Sequence, residues 1–313
     1  MVNPNIFHDQ PLASLPADQR SLLLEIGPRW GENIEGHRQL VIDAYTPLVA
    51  AAPNTGITVE RDIPYGAHPR QVLDVFHPAR NKGKPLDAVV FVHGGAYVRG
   101  KKSVNGHIYD NVCYWFASQG LVAINVEYRL ADVAPFPGGA DDVRDALALI
   151  RSEAEHFGID QERLFLIGHS AGGTHAATYL FDPLFSGGDR SCGVGVAGAV
   201  LISARLAADV RAGNPNANPV RAYFGQDEAL YAQRSPLTYA ESCDVPLLIA
   251  IAEFENPYLD AYGTEFFMRA LKHCPSAPRF IQMRAHNHTS IVAHFNSGEN
   301  YLGQEILAFI NAA

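Results

Sequence analysis

Gly168-His169-Ser170-Ala171-Gly172 directly follows the apolar run Leu164-Phe165-Leu166-Ile167. A strand ending in Gly-x-Ser-x-Gly reads as a nucleophile elbow, a tight strand-to-helix turn that exposes a serine hydroxyl. Glycines flank the serine because a Cβ at either position would crowd the turn or the neighbouring strand. Thr174 to Leu180 then reads as the helix whose N-terminus lies beneath the nucleophile. A serine hydroxyl is a poor nucleophile at neutral pH. It needs a base in hydrogen-bonding reach, a third group to orient that base, and donors aimed at the oxyanion that forms on attack. The chemistry such a set would perform is serine-based hydrolysis.

The oxyanion donors are sought upstream, where Val89 to Val92 run into His93-Gly94-Gly95-Ala96-Tyr97. Two successive glycines let backbone N–H groups face a ligand with no side chain in the way. The residue after the nucleophile supplies a further donor. The amides of Gly95, Ala96 and Ala171 are therefore the expected oxyanion hole. An ordinary turn is the competing reading of His-Gly-Gly alone, and the elbow downstream favours the functional one. His93 is expected to brace this loop, and His169 to point away from the nucleophile into packing.

In the class of chains that carry such an elbow, the order is serine, then acid, then histidine. The acid should follow the strand Leu247 to Ala252, where Glu253, Glu255 and Asp260 are available. Glu255 is preferred, because it lies a few residues past the strand end, where a carboxylate reaches an imidazole. Glu253 abuts the strand. Asp260 falls on a helical pattern and is the alternative. A solvated acidic loop competes with all three. The late histidines are His273, His286, His288 and His294. His273 lies on a predicted helix and reads as surface. His286 and His288 share the segment Arg284-Ala285-His286-Asn287-His288-Thr289-Ser290, read as a loop after the last strand, and these residues alone leave the two open.

The elements that must position these side chains alternate along the chain. Ile57 to Ile63 and Val72 to Phe76 read as an early antiparallel pair. Continuous apolar runs at Ala88 to Val92, Leu121 to Val126, Leu164 to Ile167, Gly198 to Ile202 and Pro246 to Ala252 read as strands buried on both faces. Helical patterns lie between them at Asn105 to Ser118, Gly139 to Phe157, Ser170 to Phe181 and Leu259 to His273; a strand, Arg279 to Met283, and a helix, Glu299 to Asn311, close the chain. This alternation predicts an α/β fold with a mostly parallel central sheet and helices on both faces. Residues 1–55, with helices over Pro16 to Glu25 and Ile34 to Val49, read as an N-terminal helical cap segment, and 56–313 as the catalytic domain. Residues 203–240, with Asn214-Pro215-Asn216-Ala217-Asn218-Pro219, read as an additional cap excursion.

The 313 residues, 47% hydrophobic and 18% charged, suit a globular enzyme with a sizeable core. A net charge of −9 argues against nucleic acid as a partner, because phosphate binding needs clustered cations. No apolar stretch reaches the ~20 residues of a membrane helix. Met1-Val2-Asn3-Pro4-Asn5 lacks the start of a signal peptide, so a cytoplasmic location is expected. Cys113, Cys192, Cys243 and Cys274 lack metal or redox spacing and read as reduced thiols.

Taken together, these residues resemble the α/β-hydrolase superfamily, in particular the hormone-sensitive-lipase-like carboxylesterases and the related arylformamidases. The resemblance runs from about Asp74 to the C-terminus. It rests on His93-Gly94-Gly95-Ala96, Glu127-Tyr128-Arg129-Leu130, Phe136-Pro137 leading into Asp141-Asp142-Val143, the elbow with Gly173, and Asn287-His288-Thr289-Ser290. It implies an α/β-hydrolase fold with a helical cap. It also favours His288 over His286, since the terminal motif of such families reads His, an aromatic or small residue, then Ser or Gly. Two departures are visible. Ala96 stands where many esterases carry a third glycine, which keeps the amide and narrows the acyl pocket. Ala252-Glu253-Phe254-Glu255 replaces the commoner Gly-x-x-Asp.

The implied function is carboxylic ester hydrolysis through an acyl-enzyme, with Ser170 as nucleophile, His288 as base and Glu255 as acid. An amidase or arylformamidase with the same triad is the alternative, and a binding protein of this fold without turnover is the rival from another class. No metal or organic cofactor is implied. The expected partner is a small-molecule ester or amide, with no nucleic acid and no membrane. The oligomeric state is open, a homodimer included. Trp30, Tyr97, Phe136 and Tyr258 are aromatics suited either to a pocket or to the core.

Overall fold

The computed structural model describes residues 11–79, 83–185, 195–242, 244–274 and 276–313. Among these, eight strands form one sheet: β1 (Thr58–Pro64), β2 (Val72–His77), β3 (Leu86–Val92), β4 (Val122–Val126), β5 (Ile159–His169), β6 (Gly198–Ile202), β7 (Leu247–Phe254) and β8 (Arg279–Asn287). Their spatial order is β1-β2-β4-β3-β5-β6-β7-β8. The β1–β2 and β2–β4 pairs are antiparallel, and every later pair is parallel.

The unbroken apolar runs are explained by burial on both faces. In β3, Val89 and Phe91 enter one core, while Ala88, Val90 and Val92 enter the other; β4 to β7 divide in the same way. A strand turns successive side chains to opposite faces, so two covered faces require apolar residues at every position. One face is covered by helices α1 (Ala17–Ile26), α2 (Ile34–Ala51), α3 (Asp110–Ser118) and α10 (Tyr301–Ile310). The other is covered by α4 (Gly138–Ser152), α6 (Ala171–Phe181) and α8 (Leu259–Ala270). Val143, Ala146, Leu147 and Ile150 of α4 recur at helical spacing and form its buried stripe. The short α5 (Ala154–Phe157) precedes β5, and the short α9 (Ser290–Ala293) follows β8.

Several elements differ from those read in the sequence. The helix expected from Asn105 starts only at Asp110, because Asn105 and Tyr109 take φ of 50° and 78°, which a right-handed helix does not accommodate. The helix expected over Gly139 to Phe157 breaks at Glu153, and Gly158 in the left-handed region closes its second piece. The last strand runs past Met283 to Asn287, with a register shift against β7 between Ala252 and Phe254. His286 therefore lies on a strand, not in a loop. The excursion 203–240 contains α7 (Ala217–Phe224) between irregular segments.

The N-terminal helices are part of the main body. Leu23, Ile26, Trp30, Val41 and Tyr45 are buried in the same core as α3 and α10. No helix among the described residues is long and apolar enough to cross a membrane. Cys113 is a buried free thiol; Cys192, Cys243 and residues 1–5 lie outside the described residues.

Candidate active site

Open α/β sheets present ligands at the carboxyl ends of their strands. Ser170 follows β5, the segment 93–102 follows β3, Ser203 follows β6, Glu255 follows β7 and His288 follows β8. All five therefore meet along one edge of the sheet.

Ser170 has φ 55° and ψ −118° between β5 and α6. Such a backbone is strained for a residue with a Cβ. It is held by Ser170 N donating to Ile202 O at 3.0 Å, and by Ser170 O accepting from Thr174 N and Arg205 N. The flanking glycines are sterically required. A Cβ on Gly168 would lie 2.6 Å from Gly173 Cα, and one on Gly172 would lie 2.1 Å from Val92 O.

The imidazole of His288 lies between Ser170 and Glu255. Its Nε2 lies 3.0 Å from Ser170 Oγ and its Nδ1 lies 2.8 Å from Glu255 Oε2. The side chains of His288 and Glu255 are 10% and 2% exposed, so the contact is largely shielded from water. Glu255 Oε1 accepts from Ser203 Oγ and, at 2.9 Å, from Ala252 N. Its Oε2 also accepts from Asn256 N at 3.2 Å. An ionised carboxylate only accepts, and four donors fix its orientation. Ser203 was not singled out in the sequence; its one signal there is its place directly after the strand beside the acid-bearing one.

The other candidates are placed elsewhere. Glu253 lies on β7, and its Oε2 accepts from Ala285 N. Asp260 is an exposed residue in the first turn of α8, where its Oδ1 accepts from Ala261 N. His273 lies beyond the end of α8, 3.5 Å from Glu241. His286 faces away from Ser170: its Nε2 is 3.4 Å from Glu299 and its Nδ1 is 3.2 Å from Ser290 Oγ. His286 is the penultimate residue of β8, whereas His288 lies just past the strand's end. Glu299 also accepts from Leu12 N, Ser14 Oγ and Tyr45 Oη. Burial would raise the Glu299 carboxyl, but the bond and charge of His286, with His294 and Ser14, hold it down at about 2. His294 is kept neutral, with its pKa lowered to about 4 by burial and by His286.

His169 does more than fill space. Its Nε2 donates to the carbonyl of His288 at 3.0 Å. Burial, and then the charge of His288, hold its pKa well below the usual histidine range.

The segment after β3 is braced from beneath. Tyr128 Oη donates to His93 O at 3.0 Å, and the His93 ring stacks on Tyr128 at 4.4 Å. His93 Nδ1 lies 2.8 Å from Gly94 O, and its Nε2 lies 3.5 Å from Glu127. Glu127 also accepts from Lys102 N and pairs with Arg70, which donates to Gly100 O. Burial would raise the Glu127 carboxyl, but these partners hold it below its ordinary value. Ala96 and Tyr97 take φ of 48° and 69° within this loop. The Ala171 amide opens α6, where unpaired N–H groups and the helix dipole favour negative charge.

Of the four aromatics, Trp30 and Tyr97 are buried and Phe136 and Tyr258 are half-buried. Trp30 Nε1 donates to Asn256 Oδ1, Tyr97 stacks on Tyr223, Phe136 stacks on Phe224, and Arg211 lies over Tyr258. Among the described residues, no three His, Cys, Asp or Glu side chains are grouped to hold a metal ion.

The chain is similar to known proteins in sequence and in fold. Residues 73–180 match the family described as BD-FAE. The chain is 33% identical over 127 residues to Esterase LipC of Mycobacterium tuberculosis, a match covering 41% of this chain and 31% of that protein. It is 41% identical over 98 residues to the ethyl acetate hydrolase of Pseudomonas putida, covering 31% of this chain and 29% of that one. The matched stretch thus spans under a third of either relative's length. The structure is similar to that of the hyperthermophilic esterase from Pyrobaculum calidifontis, with a TM-score of 0.70, 21% identity, and coverage of 95% of this chain and 98% of that one. Strand order, elbow geometry and these likenesses lead to one conclusion: the chain has the α/β-hydrolase fold.

Proposed function

We propose that the chain is a carboxylesterase-type serine hydrolase working through an acyl-enzyme. The observation that carries this reading is the continuous hydrogen-bonded line from Ser170 Oγ through His288 to Glu255, at 3.0 and 2.8 Å. The esterase relatives and the BD-FAE match support the same class.

In this reading Ser170 Oγ attacks the ester carbonyl carbon while its proton passes to His288 Nε2. Glu255 stabilises the imidazolium and keeps Nδ1 protonated, so that Nε2 is the accepting nitrogen. The amides of Gly95, Ala96 and Ala171 receive the oxyanion, and among the described residues none of the three is taken by a protein acceptor. The tetrahedral species collapses, the C–O bond to the alcohol breaks, and His288 returns its proton to the leaving oxygen. Water then attacks the acyl-serine with His288 again as base, and the carboxylic acid and free Ser170 result.

Residues 56–313 act as the catalytic domain, 1–55 as a helical cap segment packed on it, and 203–240 as an additional cap excursion that walls the substrate crevice. The last assignment is supported by Val220, Tyr223 and Phe224, which cluster with Tyr97 and with Ala171 beside the nucleophile.

The deciding experiment is a panel of nitrophenyl esters of increasing acyl length, run beside matched aryl formamides, with fluorophosphonate labelling of Ser170. Ester turnover with stoichiometric labelling is expected. Turnover of formamides alone would move the enzyme to the amidases, and neither turnover nor labelling would leave a binding protein.

A further inference from the structure

We propose that the N-terminal segment is a clamp that positions the acid–base pair, and that Trp30 is the positioning residue through which it acts on Glu255. The proposal rests on the reading of Glu255 and His288 as acid and base.

The clamp has two anchors. At the first, the 3-10 turn Gly27–Glu32 packs against β7 and β8. A Cβ on Gly27 would lie 2.5 Å from the Phe254 ring, so the backbone there is pressed onto the residue before the acid. Trp30, 2% exposed, donates its indole N–H to Asn256 Oδ1 at 2.8 Å. Asn256 N in turn donates to Glu255 Oε2, the oxygen that also receives His288 Nδ1. Phe254 O accepts from His288 N at 3.1 Å. Phe254, Glu255 and Asn256 thus lie between the N-terminal turn and the histidine.

At the second anchor, Glu299 gathers Leu12 N, Ser14 Oγ and Tyr45 Oη from the N-terminal side and faces His286 from the other. His286 Nδ1 meets Ser290 Oγ, which accepts from Asn287 N at 2.8 Å. The turn carrying His288 is therefore held through Ser290, His286 and Glu299 to residues 12, 14 and 45.

The physical reason for such a device is that Glu255 lies just past the end of its strand, where ladder bonds no longer fix the backbone. Catalytic geometry has to be held within a few tenths of an ångström by groups that are themselves locked. Trp30 touches no reacting atom. Its removal leaves a buried amide oxygen unpaired one residue from the acid, which frees that loop to shift.

The test uses the full chain and a nitrophenyl ester. Trp30→Phe and Asn256→Ala break the same contact from its two sides, so a folding defect in one leaves the other to report. Each is expected to lower kcat by about 10- to 100-fold with KM changed less than about twofold, the signature of misplacement rather than lost substrate contact. The double variant should lose no more than the worse single variant, and Trp30→Phe should cost little further in a Glu255→Gln background. The downfield proton resonance of the Nδ1–H of His288 should move upfield in Trp30→Phe, a readout independent of turnover. A raised KM with unchanged kcat, or an equal loss with and without Glu255, would overturn the clamp. Full activity in Glu255→Gln alone would overturn the assignment of the acid, and the clamp with it.

Discussion

His169 Nε2 donates to the backbone carbonyl of His288 at 3.0 Å, so the residue before Ser170 holds the main chain of His288. The two rings lie 5.0 Å apart. Burial keeps His169 neutral, which suits a donor and, in the proposed mechanism, keeps a second cation away from the His288 imidazolium. His169→Phe keeps a ring but removes the donor. It should lower kcat by about tenfold, the scale of one lost buried hydrogen bond, with little change in KM. Steady-state kinetics on a nitrophenyl ester checks this.

Ser170→Ala should reduce turnover by a factor on the order of 10⁶, and His288→Ala by nearly as much, because such residues act as a unit. Glu255→Gln should be milder. His286→Ala should retain most activity, since His286 is engaged with Glu299 instead of Ser170. Lethality of His286→Ala with a folded product would reassign the base.

Ser203 is one of four donors on Glu255, and the only side-chain hydroxyl among them. Ser203→Ala leaves Glu255 Oε1 with the Ala252 amide alone. A drop in kcat of about tenfold is expected, in line with one hydrogen bond to a charged group. The rate of fluorophosphonate labelling should fall in parallel.

Tyr128→Phe removes the hydroxyl that supports His93 O at the root of the proposed oxyanion segment. The stack on His93 remains, so folding should survive. The expected result is a lower kcat and weaker inhibition by a boronic or phosphonate transition-state analogue, with substrate KM nearly unchanged.

Acid stability should be limited by buried neutral histidines. Burial lowers His175 to about 3, and burial with His286 lowers His294 to about 4. Between the ordinary value near ~6.5 and these folded values, the unfolded chain binds protons that the native state refuses. Stability is therefore fully present above that range and declines as pH falls toward 4 and then 3. Glu299, held at about 2, adds a second loss at lower pH, starting near its ordinary value of about 4.3. Urea melts at pH 7.5 and 5 should show this decline, and His294→Asn should flatten it. An unchanged slope in that variant would exclude His294 as a cause.

Local features were legible from the residues in order. The elbow is one, because Gly168 and Gly172 answer to atoms a few residues away or on the adjoining strand. The five central strands are another, because burial on two faces demands an unbroken apolar run. The choice among late side chains was not legible in the same way. His286 and His288 lie on either side of the end of β8, and a polar segment that read as a loop continues that strand because its buried residues find partners in Glu299 and Ser290. Ser203 joins Glu255 across 52 residues, and Trp30 joins Asn256 across 226. Periodicity and turn chemistry reach only as far as one element. Contacts between elements depend on strand order and on which helix covers which face, so they exist only once the sheet has closed its two cores.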